Sequence, residues 1–92
     1  MTNERLIELY KLVLEEIEER CLSGICKAIS DVYCNNWEKI TEKEFNELDL
    51  HFIEYTSYLE PIYDTYYYFP KGEKAPRIKL LLNIIADLET TT

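Results

Sequence analysis

The stretch from Tyr66 to Lys79 holds the residues best suited to chemistry. Tyr66, Tyr67, Tyr68 and Phe69 lead into Pro70, and four cations follow, Lys71, Lys74, Arg77 and Lys79, opposed only by Glu73. Pro76 fits the first position of a helix, where a missing N–H is tolerated. A helix start offers unpaired backbone N–H groups and a partial positive charge, and together these attract anions. Arg77 can hold a phosphate in a bidentate fork, with Lys71 and Lys79 adding point charges. Tyr68 or Phe69, beside Pro70, can stack on a nucleobase. Ser23-Gly24, at the expected start of a second helix, is another candidate anion site, since a glycine there lets a ligand approach the backbone. Each site has a plainer alternative. The aromatic run can plug one end of a helical bundle, Arg77 can pair with acids of other helices, and Ser23-Gly24 can be an ordinary turn.

Other chemistries lack the necessary residues. Cys21, Cys26 and Cys34 contain no Cys-x2-Cys pair, and His51 is the only histidine, so no metal set and no cofactor is expected. The thiols read as buried core groups. A serine or cysteine nucleophile usually needs a base, and His51 is the one conventional choice. With only Gly24 and Gly72, the chain has no glycine-rich phosphate loop. Its carboxylates fall on expected exposed helix faces, where nothing sets two of them across a cleft. The sequence therefore predicts a binding protein and not an enzyme.

The elements that must position these residues follow from hydrophobic spacing. Leu6, Leu9, Tyr10, Val13, Leu14 and Ile17 trace one face of a first helix, capped by Thr2 or Asn3. Ile25, Ala28, Ile29, Val32 and Tyr33 mark a shorter second helix, and Cys34-Asn35-Asn36-Trp37 reads as the turn after it. Thr41-Glu42-Lys43-Glu44 is a capping box. It opens a third helix on Phe45, Leu48, Phe52, Tyr55 and Leu59, which Pro61 should end. Residues 60–75 have no helical period. A fourth helix then begins near Pro76 and buries Ile78, Leu81, Leu82, Ile85 and Leu88, with its last residues frayed. The expected fold is an all-α single domain over residues 1–92, a small compact bundle of about four helices with a long aromatic loop before the last.

Charge narrows the partners. The net charge is −8, which disfavours nucleic acid and anionic membranes. Residues 1–60 carry 6 basic and 14 acidic side chains, and residues 61–92 carry 4 of each. Glu15, Glu16, Glu18 and Glu19 crowd the end of the first helix, either as a solvated face or as a docking surface for a basic partner. Eight tyrosines suit half-buried interfaces, and a homo-oligomer is expected. The first residues enter a charged amphipathic pattern in place of a signal peptide, and the longest apolar run is too short for a bilayer. An odd cysteine count then points to a reducing cytoplasm.

The aromatic–Phe69–Pro70, Gly72 and Pro76-Arg77-Ile78 pattern, with Gly24-Ile25-Cys26 earlier, resembles a group of small proteins encoded by bacteriophages and prophages. Such proteins carry a Gly-x-Cys step and close on a Trp/Tyr-Phe-Pro…Pro-Arg-Ile segment; here Tyr68 stands where tryptophan is common. The resemblance implies an early phage product acting in the host cytoplasm on host physiology or defence. Two functions are then expected. One is counter-defence by sequestering an anionic, nucleotide-type immune signal without cleaving it. The other is an acidic inhibitor whose helices, rich in Glu15 to Glu19 and Glu42 to Glu47, dock on and block a basic surface of a host protein.

Overall fold

Four amphipathic segments become four helices: α1 (Asn3–Glu19), α2 (Ile25–Asn35), α3 (Glu42–Thr56) and α4 (Ala75–Thr90). The computed structural model describes residues 1–19, 24–57 and 75–90. Among these residues there is no strand, and the architecture is a small all-α bundle. Leu59, Pro61, Cys21 and most of the expected aromatic loop lie outside the described residues.

Local chemistry accounts for most helix boundaries. Thr2 Oγ1 accepts the Arg5 N–H at 3.2 Å, which satisfies one donor at the start of α1. Asn36 closes α2 twice over. Its backbone N–H donates to the Tyr33 carbonyl at 3.2 Å, and its side-chain amide donates to the Val32 carbonyl at 2.8 Å. These are carbonyls that a helix end leaves without partners. The capping box forms as the sequence predicts. Thr41 Oγ1 accepts from the Glu44 N–H at 3.1 Å, and Glu44 Oε1 accepts from the Thr41 N–H at 3.1 Å. At the far end of α3, the buried Thr56 hydroxyl donates back to the Phe52 carbonyl at 2.8 Å.

The core collects the expected stripes. Leu6, Leu9, Tyr10, Val13 and Ile17 of α1 are buried, as are Ile25, Ala28, Ile29 and Val32 of α2 and Leu48 and Phe52 of α3. Each fully buried side chain of this size contributes roughly 1.5–3 kcal/mol. α1 packs against α4 and α2, and α2 packs against α3. The α2–α3 connection anchors itself with buried Ile40.

Three expectations are corrected. The buried face of α4 is Leu80, Leu81, Ile84, Ile85 and Leu88, whereas Leu82 is half exposed and Ile78 only partly buried. The helix is therefore turned relative to the predicted stripe. Cys34 is exposed and Cys26 is half-buried, so neither is a fully buried core thiol. Cys34 and Asn35 still belong to α2, and the turn is Asn36–Lys39.

Candidate functional site

Of the residues expected to bind a ligand, Lys71, Tyr68, Phe69, Pro70 and Ser23 lie outside the described residues. The other three are placed differently from one another. Lys79 is exposed. Gly24 is buried at the N-cap of α2, with φ −68° and ψ 171°, an extended conformation open to any residue, and its carbonyl accepts the Ala28 N–H at 3.2 Å. Arg77, expected as a phosphate fork at the surface, is 1% exposed. The cause is its position in the helix. Counting back along α4 from Leu88 through Ile85, Ile84, Leu81 and Leu80 leads to residue 77 on the same face. The side chain is therefore buried along the inward face of α4, and Nη2 is sealed from solvent.

A different feature stands open at the junction of α1 and α2. Leu12, Glu15, Glu16 and Glu19 of α1 face Val32 and Asn35 of α2 and the capping residue Asn36 across a depression of about 210 Å³. Its lining combines the apolar Leu12 and Val32 with carboxylates and side-chain amides. Heptad-like spacing in α1 explains the arrangement. The buried stripe of Leu9, Val13 and Ile17 turns Glu15 outward and leaves Glu16 at the edge. Acids at a helix C-terminus oppose the dipole and one another, so a cation brought to this end is favoured.

The residue after Asn36 is Trp37, which is 69% exposed. The turn that carries it is tied down on several sides. The Asn36 carbonyl accepts from the Lys39 N–H at 2.8 Å and from the Ile40 N–H at 3.0 Å. Arg5 reaches across from α1, where Nη2 donates to the Lys39 carbonyl at 2.7 Å and Nε donates to Glu44 Oε2 at 2.7 Å. Arg5 also pairs with Glu8 at 2.9 Å. The guanidinium and the capping-box N–H together hold the Glu44 carboxyl at about 2, well below its ordinary value.

A polar cluster joins the other side of the bundle. The Tyr10 hydroxyl and His51 Nδ1 lie 2.7 Å apart, and the Tyr55 hydroxyl donates to Asp87 Oδ2 at 2.5 Å. The His51 ring meets Tyr10 edge-on at 5.5 Å and stacks near Tyr55 at 6.4 Å. Burial lowers the His51 pKa, which favours the neutral imidazole. Burial first and the Asp87 bond second push Tyr55 up to about 12, and burial raises Tyr10 further. The Tyr10–His51 bond bridges α1 to α3, and the Tyr55 hydroxyl, as donor to Asp87, bridges α3 to α4. Among the described residues, no group of three His, Cys, Asp or Glu side chains gathers as a metal site.

Sequence reasoning placed Trp37 in a turn, but it found neither the exposure of the indole nor the Tyr10 partner of His51. The off-stripe position of residue 37 beyond Ile29 and Val32 is the one local signal for that exposure. Compared with known proteins, the chain matches no family model, no curated protein and no solved structure. Among the described residues, no helix is long and apolar enough to cross a membrane.

Proposed function

We propose that this chain is a non-catalytic binding domain whose acidic helix faces dock on a basic surface of another protein and block it. The observation that carries this reading is the outward placement of the acids around the α1–α2 depression, combined with the burial of Arg77. The expected nucleotide site centres on the Arg77 fork, whose side chain is buried. With that guanidinium inside the bundle, acid docking is the better-supported of the two expected functions. Complementary charge would steer encounter and speed association, and added salt would weaken it.

The resemblance to phage-encoded proteins sets the context of this proposal. The partner would be a host enzyme or nuclease, the compartment the host cytoplasm, and the role counter-defence by stoichiometric blockade. The test is affinity capture from host lysate at low salt, with the Glu15→Gln, Glu16→Gln, Glu19→Gln triple variant run in parallel. The expected result is a stoichiometric basic partner that the parent retains and that the variant, or higher salt, releases. Failure to recover any stoichiometric partner at low salt would remove this reading.

A further inference from the structure

We infer that the Tyr10–His51 contact is a proton-operated latch, which holds α3 to α1 while the imidazole is neutral and lets go when the imidazole is charged. The roles within the bond follow from burial. Tyr10 is 0% exposed, and among the described residues His51 Nδ1, at 2.7 Å, is the one hydrogen-bond partner of its hydroxyl. A phenol out of reach of water must find an acceptor for its hydrogen inside the fold. Nδ1 is therefore that acceptor, and the neutral ring carries its own hydrogen on Nε2.

Protonation turns Nδ1 into a donor, so that two donors face each other. The hydroxyl can rotate to accept, but its own hydrogen is then buried without an acceptor, which costs more than the bond is worth. The neighbouring groups do not offset this. Tyr10 on α1 stays protonated, because burial first, with Tyr55 and Asp49 adding, raises its pKa. Glu54 on α3 favours the charged ring less than burial opposes it. Asp87 on α4 lines one depression with His51 and already accepts from Tyr55 of α3. The other tie between α1 and α3 does not titrate in this range, since Arg5 Nε donates to Glu44 Oε2 and that carboxyl titrates at about 2. α3 therefore stays tethered at its first turn and gives way around His51.

His51 is the sole histidine of the chain, so nitrogen magnetic resonance of the full chain reads its tautomer and its titration without overlap. At neutral pH the Nδ1 resonance should be that of a nitrogen without hydrogen, and the titration midpoint should lie below the ordinary 6.5. Tyr10→Phe removes the donor that favours the neutral ring and should raise the midpoint by about half to one pH unit. Proton cross-relaxation between the Tyr10 and His51 rings, whose centroids lie 5.5 Å apart, should fade as the parent passes through its midpoint. Tyr33 of α2 and Phe45 of α3, stacked at 4.6 Å, form a contact without an imidazole and should keep theirs.

A hydrogen on Nδ1 at neutral pH, or a midpoint that Tyr10→Phe lowers or leaves in place, would overturn the latch, because a bond donated by the histidine survives protonation. Tyr10–His51 cross-relaxation that persists unchanged below the midpoint would overturn the release. Loss of the Tyr33–Phe45 contact at the same pH would overturn it too, replacing a local opening with general acid unfolding. The tautomer and the ring contacts are read on the parent alone, so they decide the matter even if Tyr10→Phe does not fold.

Discussion

Substituting Glu44 by Gln should expose a single interaction that governs both acid stability and the seating of the Trp37 turn. Glu44 accepts from the Thr41 N–H and, through its charge, from Arg5 Nε at 2.7 Å and Nη2 at 3.2 Å. Gln keeps a carbonyl for Thr41 and loses the charge-assisted pair. The carboxyl is displaced from its ordinary 4.5 to about 2, which corresponds to at most about 3 kcal/mol. The Arg5 and Glu44 side chains are 29% and 24% exposed, so solvent screening reduces the expected loss at pH 7 to about 1–2 kcal/mol. Because the folded carboxyl titrates below its unfolded counterpart, this stability is full above pH 4.5 and is lost as pH falls through about 2. Urea denaturation of the parent and Glu44→Gln across that range measures it. At a slope near 1 kcal/mol/M the midpoints should differ by about 1–2 M at pH 7, and the two curves should converge toward pH 2. Arg5 stays charged throughout, held above its ordinary value by Glu44 first and Glu8 second. Equal stability at pH 7, or a gap that persists unchanged into acid, would refute the reasoning.

Two further outcomes follow from buried polar groups. Arg77→Ala should cost roughly 2–4 kcal/mol, because it removes a long side chain from the α4 core face; a thermal melt matching the parent would show that the guanidinium is not built into the bundle. Stability should also fall as pH drops below the ordinary histidine value of 6.5, since burial depresses the His51 pKa and the folded state resists the added proton. Denaturation between pH 5 and 7 should show that slope, and His51→Gln should flatten it; an unchanged slope in the variant would assign the effect to other groups.

The readable and unreadable parts of the chain divide on physical grounds. The capping box was legible because it depends on four consecutive residues, and the α1 stripe because apolar letters repeat at helical spacing. The α4 face was misjudged because Arg77 was excluded for its charge and Leu82 included for its side chain. Geometry decides instead, since a face already set by Leu80, Leu81, Ile84, Ile85 and Leu88 must continue through residue 77. Cys34 is a similar case. Thiols favour interiors, but residue 34 lies off the stripe of Ala28, Ile29 and Val32, and the helix turns it outward. The Tyr10–His51 bond could not be read locally, as its partners stand 41 residues apart and meet only once α1 and α3 share a core.

The charges on α1 and its neighbours also bear on how specificity could arise. Arg5 turns inward to Glu44 and the Lys39 carbonyl, Lys27 pairs with Asp31 at 2.7 Å, and Arg77 lies in the core. Glu4, Glu15, Glu38, Glu42 and Glu54 remain exposed, and Glu8 is exposed but paired with Arg5. Among the described residues the exposed acids outnumber the exposed lysines, which leaves the surface with an outward negative field. Such a field attracts any basic surface, and at physiological salt it is screened within about 8 Å. Acids alone would therefore confer speed of encounter without choice of partner. Choice requires a contact of fixed shape inside that short range. Trp37, exposed on a turn that bonds of Asn36 and Lys39 fix, is one side chain placed to supply it.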